Sequence, residues 1–171
     1  MKRFPIFAAL LLFFPLLALA QQPQPTFHDE LLDHLQGKWV MTGTIMGRPI
    51  THDIDAQWVL NHQYLCFKET SREKKPSGEP VYDAAAYFGW DQPSSRNVGI
   101  WLDVWGGFSK ATVGYAARKD DEMHFHFKDD KGGDFHTVFT YDRKSDTWKL
   151  NMDSEENGQL KPFTRATLAR K

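Results

Sequence analysis

The segment EMHFHFKDDKGGDFHTVFTY, residues 122–141, has the clearest secondary-structure pattern in this chain. Apolar and polar residues alternate on both sides of a central turn rich in Asp and Gly, and a period of two predicts a β-hairpin. Pairing the two halves places Phe127 opposite Phe135 and His126 opposite His136. The large apolar residues then share one face of the hairpin, and the histidines share the other.

The same period of two recurs along the chain up to its C-terminal end. Because no helix separates these segments, no crossover is present to join parallel strands, and antiparallel pairing is expected. The predicted fold class is all-β, a single antiparallel up-and-down β-barrel of about eight to ten strands, with a sandwich as the alternative. Gly and Pro separate several of the predicted strands, which span residues 38–46, 50–60, 62–70, 80–89, 96–105, 108–117, 122–128, 134–141, 146–153 and 160–169.

One short N-terminal helix is predicted ahead of the barrel. Thr26 has the side chain of an N-cap, Leu31, Leu32 and Leu35 fall on one helical face, and Gly37 marks the end. A helix of this length has little stability alone. We therefore expect its leucine face to close one end of the barrel or to cover one side of the sheet.

Residues 1–20 have the three parts of a secretory signal peptide: a basic start, an apolar run and a small-residue ending at Ala20. The apolar run is shorter than the ~20 residues of a membrane-spanning helix, so cleavage rather than anchoring is expected. The predicted organisation is a signal peptide at 1–20, a flexible Pro-rich tether at 21–25 and a barrel domain at 26–171. The mature protein is predicted to be periplasmic or secreted, with no stable membrane anchor.

The composition narrows the classes of partner. Loss of the leader removes two basic residues, which leaves 19 Lys and Arg against 22 Asp and Glu, and this balance argues against nucleic acid and anionic lipid. Cys66 is the only cysteine, so no internal disulfide can form. The sequence contains no serine-nucleophile elbow, zinc-protease motif or phosphate-binding glycine loop, which makes a binding protein a stronger expectation than an enzyme.

The segment LLDHLQGKW, residues 31–39, resembles the opening of lipocalin-like, or calycin, barrels, in which a short helix precedes Gly-x-Trp. With the later blocks AYFGWD, residues 86–91, and VGIWLD, residues 98–103, the chain resembles a family of small, often secreted bacterial proteins classed as a domain of unknown function. The resemblance extends from about Leu31 to Arg170. It implies a calycin-like barrel, and that family has no assigned catalytic residues.

The first strand and turn are also similar to those of nitrobindin-like haem proteins, through Gly37-Lys38-Trp39 followed by Gly43, Gly47 and Pro49. This resemblance implies haem as a cofactor, held by a histidine near the C-terminal strands. The present chain departs from that pattern, because it has no histidine after His136. Ferric haem in an open barrel needs a proximal ligand such as histidine.

A metal site is one hypothesis for the predicted hairpin. His124 and His126 share a strand face, and His136 lies across from them, so the three imidazoles could bind zinc or copper. The alternative is a row of histidines on the outside of the barrel, which follows if the apolar face of the hairpin points inward.

A ligand-binding interior is the leading hypothesis, because a barrel of this size either fills with side chains or holds one small molecule. Asp103 lies mid-strand on the same face as two tryptophans, where an inward acid must be paired, and Arg96 and Arg165 are its possible partners. A filled aromatic core and a structural salt bridge are the alternatives. The residues predicted to line a site for a small, largely apolar molecule are Trp39, Tyr87, Trp101, Asp103, Trp105 and Tyr115.

The strand from Val98 to Val104 has bulky apolar residues on both faces. Its outer face should be covered, either by the helix or by a second subunit. The sequence therefore supports three functional hypotheses: a carrier of a small apolar molecule, a haem or metal protein acting on reactive oxygen or nitrogen species, and a homodimeric envelope interaction protein.

Overall fold

Ten antiparallel strands follow one another in chain order and close into a barrel where the first strand pairs with the last. The structure is a computed structural model, and it describes residues 26–106, 112–128 and 133–171. The predicted fold class is confirmed. The elements are α1 (Glu30–Leu35), β1 (Gly37–Ile45), β2 (Arg48–Val59), β3 (Tyr64–Ser71), β4 (Asp83–Asp91), β5 (Arg96–Asp103), β6 (Thr112–Lys119), β7 (Glu122–Lys128), β8 (Asp134–Asp142), β9 (Thr147–Glu156) and β10 (Gln159–Arg170).

The hairpin of β7 and β8 has the predicted register. Phe127 pairs with Phe135 and His126 pairs with His136. The apolar face points inward, since Met123, Phe125 and Phe127 are buried and alternate with exposed residues. The histidine face is consequently the outer face of the barrel.

Glycines make room for the aromatic core. Gly99 of β5 pairs with Gly114 of β6, and both face the phenylalanines of β7. A Cβ atom on Gly114 would lie 2.5 Å from Cδ1 of Phe127, and one on Gly99 would lie 2.9 Å from Cε1 of Phe125. The two glycines therefore allow Phe rings to lie directly against the backbone of β5 and β6.

The helix closes one end of the barrel, which was one of the two positions expected for its leucine face. Leu31, Leu32 and Leu35 are buried at 0–2 % exposure and belong to the same core cluster as the aromatic residues of the strands. The predicted N-cap at Thr26 is wrong. Asp29 is the N-cap, because its carboxylate accepts hydrogen bonds from the N–H groups of Leu31 and Leu32, at 2.9 and 3.1 Å.

The outer face of β5 carries Val98, Ile100 and Leu102, all half-buried. The helix packs its leucines into the barrel end, so it is not the cover that the sequence led us to expect for this face. A second subunit remains the other predicted cover. Within the described part of the chain, no helix is long and apolar enough to cross a membrane.

The predicted signal peptide and tether, residues 1–25, lie outside the described residues, as do residues 108–111 at the start of the predicted sixth strand. Export and localisation stay predictions.

Candidate functional site

A cavity of about 190 Å³ lies in the end of the barrel opposite the helix. Most of its lining is apolar and aromatic, and a few polar groups converge on it. The lining residues are Met41, Ile45, Glu69, Tyr82, Trp101, Asp103, Trp105, Phe127, Lys128, Phe135, Thr137, Leu150, Met152, Phe163 and Thr164.

One wall combines aromatic rings with a carboxylate. The indole N–H of Trp101 donates to the hydroxyl of Tyr82 at 3.3 Å, and that hydroxyl lies 3.5 Å from Oδ2 of Asp103. The rings of Tyr82 and Trp105 have centroids 4.7 Å apart and are tilted by 50°. Three aromatic side chains and one acid thus meet where β5 ends.

Asp103 has a different partner from those predicted. Its Oδ1 accepts hydrogen bonds from the backbone N–H groups of Trp105 and Gly106, at 2.8 and 2.9 Å, which ends β5 in a turn. Arg96 instead lies over the ring of Tyr115 at 4.0 Å, and Arg165 pairs with Asp153 on the outer face. Neither arginine pairs with Asp103, because both project outward while Asp103 lies at the cavity.

Behind this wall lies a buried pair that sequence reasoning missed. Nδ1 of His52 and Oε1 of Glu69 are 2.5 Å apart, and both side chains are less than 5 % exposed. Burial raises the pKa of Glu69, although the hydrogen bond to His52 opposes that shift. Strand alternation indicates that each of these two residues points inward, but it does not show that they meet.

Two hydroxyls on the opposite wall have no hydrogen-bond partner among the described residues. They are Oγ1 of Thr137 on β8 and Oγ1 of Thr164 on β10, and the two residues are 0 % and 1 % exposed. Leaving a buried hydroxyl unpaired costs about 1–3 kcal/mol. Both threonines belong to the cavity wall, but their hydroxyls are sealed within it and present no surface to the cavity.

The six residues predicted for the ligand site fall into three groups. Trp101, Asp103 and Trp105 lie together at the cavity. Trp39 lies in the core at the closed end, where its indole N–H donates to the carbonyl of Leu35 at 2.8 Å.

Tyr87 and Tyr115 are on the outer face, so the expectation that they form a cavity wall is wrong. Each alternates with buried neighbours that point inward: Ala86 and Phe88 flank Tyr87, and Gly114 and Ala116 flank Tyr115. In a strand, successive side chains point to opposite faces, which sets both tyrosines outside the barrel.

The three predicted metal ligands lie close together on the outer face. The rings of His126 and His136 stack with centroids 4.7 Å apart, and those of His124 and His136 are 5.6 Å apart. His126 contacts Asp134 at 3.0 Å and His136 contacts Glu155 at 3.1 Å. Among the described residues, no three or more His, Cys, Asp or Glu side chains are arranged as a metal site. This observation does not support the hypothesis of a metal site at the three histidines, and metal binding stays an untested prediction.

Haem, which the resemblance to nitrobindin-like proteins implies, does not fit the residues around the cavity. No histidine is among the described residues that line it, and His52, which points into the barrel, is buried at 3% exposure and is not part of the cavity wall. Tyr82 could offer a phenolate, but burial, and then the charges of Glu69 and Asp103, raise its pKa far above the ordinary value.

Comparison with known proteins supports the fold. The chain is similar to the crystal structure of Rv2717c from M. tuberculosis, with a TM-score of 0.54 and 15% sequence identity over 84% of this chain and 98% of that chain. No family model matches the sequence, and no curated protein matches it either. At this identity the likeness concerns the barrel alone, which is consistent with a calycin-like fold.

Proposed function

We propose that this protein is an exported carrier that binds a small, largely apolar molecule in the cavity at the open end of the barrel. One observation carries the proposal: a cavity of about 190 Å³ is lined mostly by apolar and aromatic residues, with Asp103, Tyr82 and Glu69 as polar groups in one wall. A ligand site is typically a concave, mostly apolar pocket with a few polar groups that orient the ligand.

The size of the cavity indicates the size of the ligand. An apolar protein cavity of about 150 Å³ holds one benzene molecule. A cavity of about 190 Å³ therefore accepts a single ring with a short substituent. Aromatic rings that line the cavity provide apolar contacts for such a molecule. Two of them, Phe135 and Phe163, have ring centroids 5.2 Å apart.

The export part of the proposal rests on residues 1–20, whose pattern is that of a cleaved leader. The intact mass of the protein purified from its own host tests this directly. A chain that begins near Gln21 supports export, whereas a chain that retains residues 1–20 contradicts it.

Binding is tested with benzene as the probe, since it needs only the apolar cavity. Saturating benzene should raise the Tm of the wild-type protein, because a ligand that binds only the folded state stabilises it. Trp105→Ala should abolish most of that rise while it changes the Tm without benzene only slightly, because Trp105 is 53% exposed.

Trp90→Ala is the matched control, because Trp90 is also a partly exposed tryptophan, at 38%, but it lies at the other end of the barrel against Phe27. Benzene should stabilise this variant as much as the wild type. No benzene-dependent rise in the wild-type Tm, or an equal rise in Trp105→Ala, would contradict the proposal.

A further inference from the structure

We infer that the ligand of the cavity is a small aralkyl amine, an organic cation whose ammonium group lies among Trp101, Trp105, Tyr82 and Asp103. This inference rests on the proposed function and adds the chemical class of the ligand. It follows from the rings, the charges and the apolar surface of the cavity.

The rings form an incomplete aromatic cage. Tyr82 is held between Trp101, whose N–H it accepts at 3.3 Å, and Trp105, whose ring centroid is 4.7 Å away. The hydrogen bond fixes the ring of Tyr82 relative to the strand, and both tryptophans line the cavity. Aromatic faces attract a cation within about 6 Å of the ring centroid, and groups of such rings recognise ammonium ligands.

The charge at this wall is negative. Asp103 uses Oδ1 for the turn, while the contact of Oδ2 with the Tyr82 hydroxyl is long, at 3.5 Å. Oδ2 therefore retains accepting capacity toward a ligand N–H group. Glu69, on the same side of the cavity, is paired with His52 and adds no net charge, so the negative charge of this wall is that of Asp103.

One basic residue, Lys128, is among the described residues that line the cavity. Its ammonium group pairs with Asp134, which also contacts His126 at 3.0 Å. The positive charge of Lys128 is thus balanced at the rim, and the negative charge of Asp103 has no such partner among the described residues. A ligand cation supplies that balance.

The opposite wall suits the rest of such a molecule. The opposite wall includes β8, which carries Thr137, and β10, which carries Thr164. In the ring of ten strands, β8 is five positions from β3, the strand of Glu69, and β10 is five positions from β5, the strand of Asp103. Phe135, Phe163 and Leu150, on β8, β10 and β9, also line the cavity. The cavity is thus acidic on one side, at Asp103, and mostly apolar on the other, which matches a ring joined to an amine.

The test compares two probes of nearly equal size, phenethylamine as the cation and propylbenzene as its neutral isostere. Their dissociation constants are measured for the full mature protein by isothermal titration calorimetry. Asp103→Asn should weaken phenethylamine binding about tenfold and leave propylbenzene binding within about twofold, because only the cation loses a charge partner. Asn can still accept the two turn hydrogen bonds, so the turn is retained.

Two further variants keep the test decisive if Asp103→Asn fails to fold. Trp105→Leu retains an apolar side chain but removes a ring face, so it should weaken binding of phenethylamine more than that of propylbenzene. Asp91→Asn, at the other end of the barrel, makes the same change in net charge and should alter neither affinity.

The outcomes separate the two proposals. If propylbenzene binds and phenethylamine does not, or if Asp103→Asn weakens both equally, the cation inference is overturned while the carrier proposal stands. If neither probe binds, both are overturned. The expected pattern, a selective loss of phenethylamine affinity in Asp103→Asn and Trp105→Leu, supports the inference.

Discussion

The two ends of this barrel are built from the same strands but differ in what fills them. At the closed end, the leucines of the helix lie with Phe88, Phe125, Phe139 and Trp148 around a space with no room for a water molecule. At the open end, the same strands surround a cavity of about 190 Å³ with carboxyl and hydroxyl groups in its wall. The closed end stabilises the fold, and the open end holds the features of a binding site.

The contrast shows how one alternating pattern yields two environments. β8 points Phe139 into the closed end and Thr137 and Phe135 toward the cavity, all from the same face of one strand. Every second residue faces inward along the whole strand. What changes from one end to the other is whether the inward side chains from opposite strands meet, and that depends on their sizes.

The largest effect is expected from a cavity made at the closed end. Phe139→Ala removes a ring whose centroid lies 5.4 Å from that of Phe88 and 5.7 Å from that of Phe67. The free energy of unfolding, measured by urea denaturation, should fall by about 3–5 kcal/mol.

Phe135→Ala is the comparison on the same face of the same strand. Phe135 is only partly buried and lines the cavity, so Phe135→Ala should lower the free energy of unfolding by less than half as much as Phe139→Ala does. Equal costs for the two variants would show that the open end is packed as tightly as the closed end.

A smaller effect of opposite sign is expected where the cavity wall is polar. Thr137→Val removes a buried hydroxyl without a partner among the described residues and should raise the free energy of unfolding by about 1 kcal/mol. Thr140→Val on the same strand should instead lower it slightly, because Thr140 donates a hydrogen bond to Glu122 at 3.0 Å. A loss of stability in Thr137→Val would indicate that the hydroxyl already has a bound water partner.

The smallest change in the free energy of unfolding at any single pH is expected at the buried pair of His52 and Glu69. Burial raises the pKa of Glu69 in the folded barrel above its ordinary value of 4.5, so the folded state keeps a proton that the unfolded chain loses. Stability should therefore decline as the pH rises above about 4.5, and Glu69→Gln should lessen that decline.

Glu155→Gln serves as the control for the pH experiment, because it alters a Glu–His pair on the outer face, where Glu155 contacts His136 at 3.1 Å. Urea denaturation of the three proteins between about pH 5 and pH 8 gives the comparison. If the free energy of unfolding depends on pH in the same way in the wild type and in Glu69→Gln, then Glu69 has the same pKa in the folded and the unfolded states.

Local patterns were sufficient to predict the fold. The alternation in β7 and β8 set their register, because a slip by one residue would turn every phenylalanine to the solvent. The helix was predicted from its leucine spacing, although its cap was assigned three residues early. Thr26 and Asp29 are both good N-cap types, and only the hydrogen bonds to Leu31 and Leu32 distinguish them.

The site was predicted in part. Trp101, Asp103 and Trp105 were grouped correctly because they share one strand face and its following turn. Tyr87 was assigned to the wrong face, because apolar residues flank it on both sides and the alternation there is ambiguous. The contact of His52 with Glu69 joins residues 17 positions apart, and Tyr82 precedes β4, so neither followed from a local pattern.

An antiparallel barrel with one helix could be predicted from the sequence alone, since the period of two and the turn residues act over a few neighbouring positions. The sequence also supplied the case for export, through residues 1–20. The tertiary structure was needed to show which inward residues meet across the barrel, where the helix closes it and where a cavity remains. Those outcomes depend on side chains from strands far apart in the chain, whose combined volume fills one end and leaves the other open.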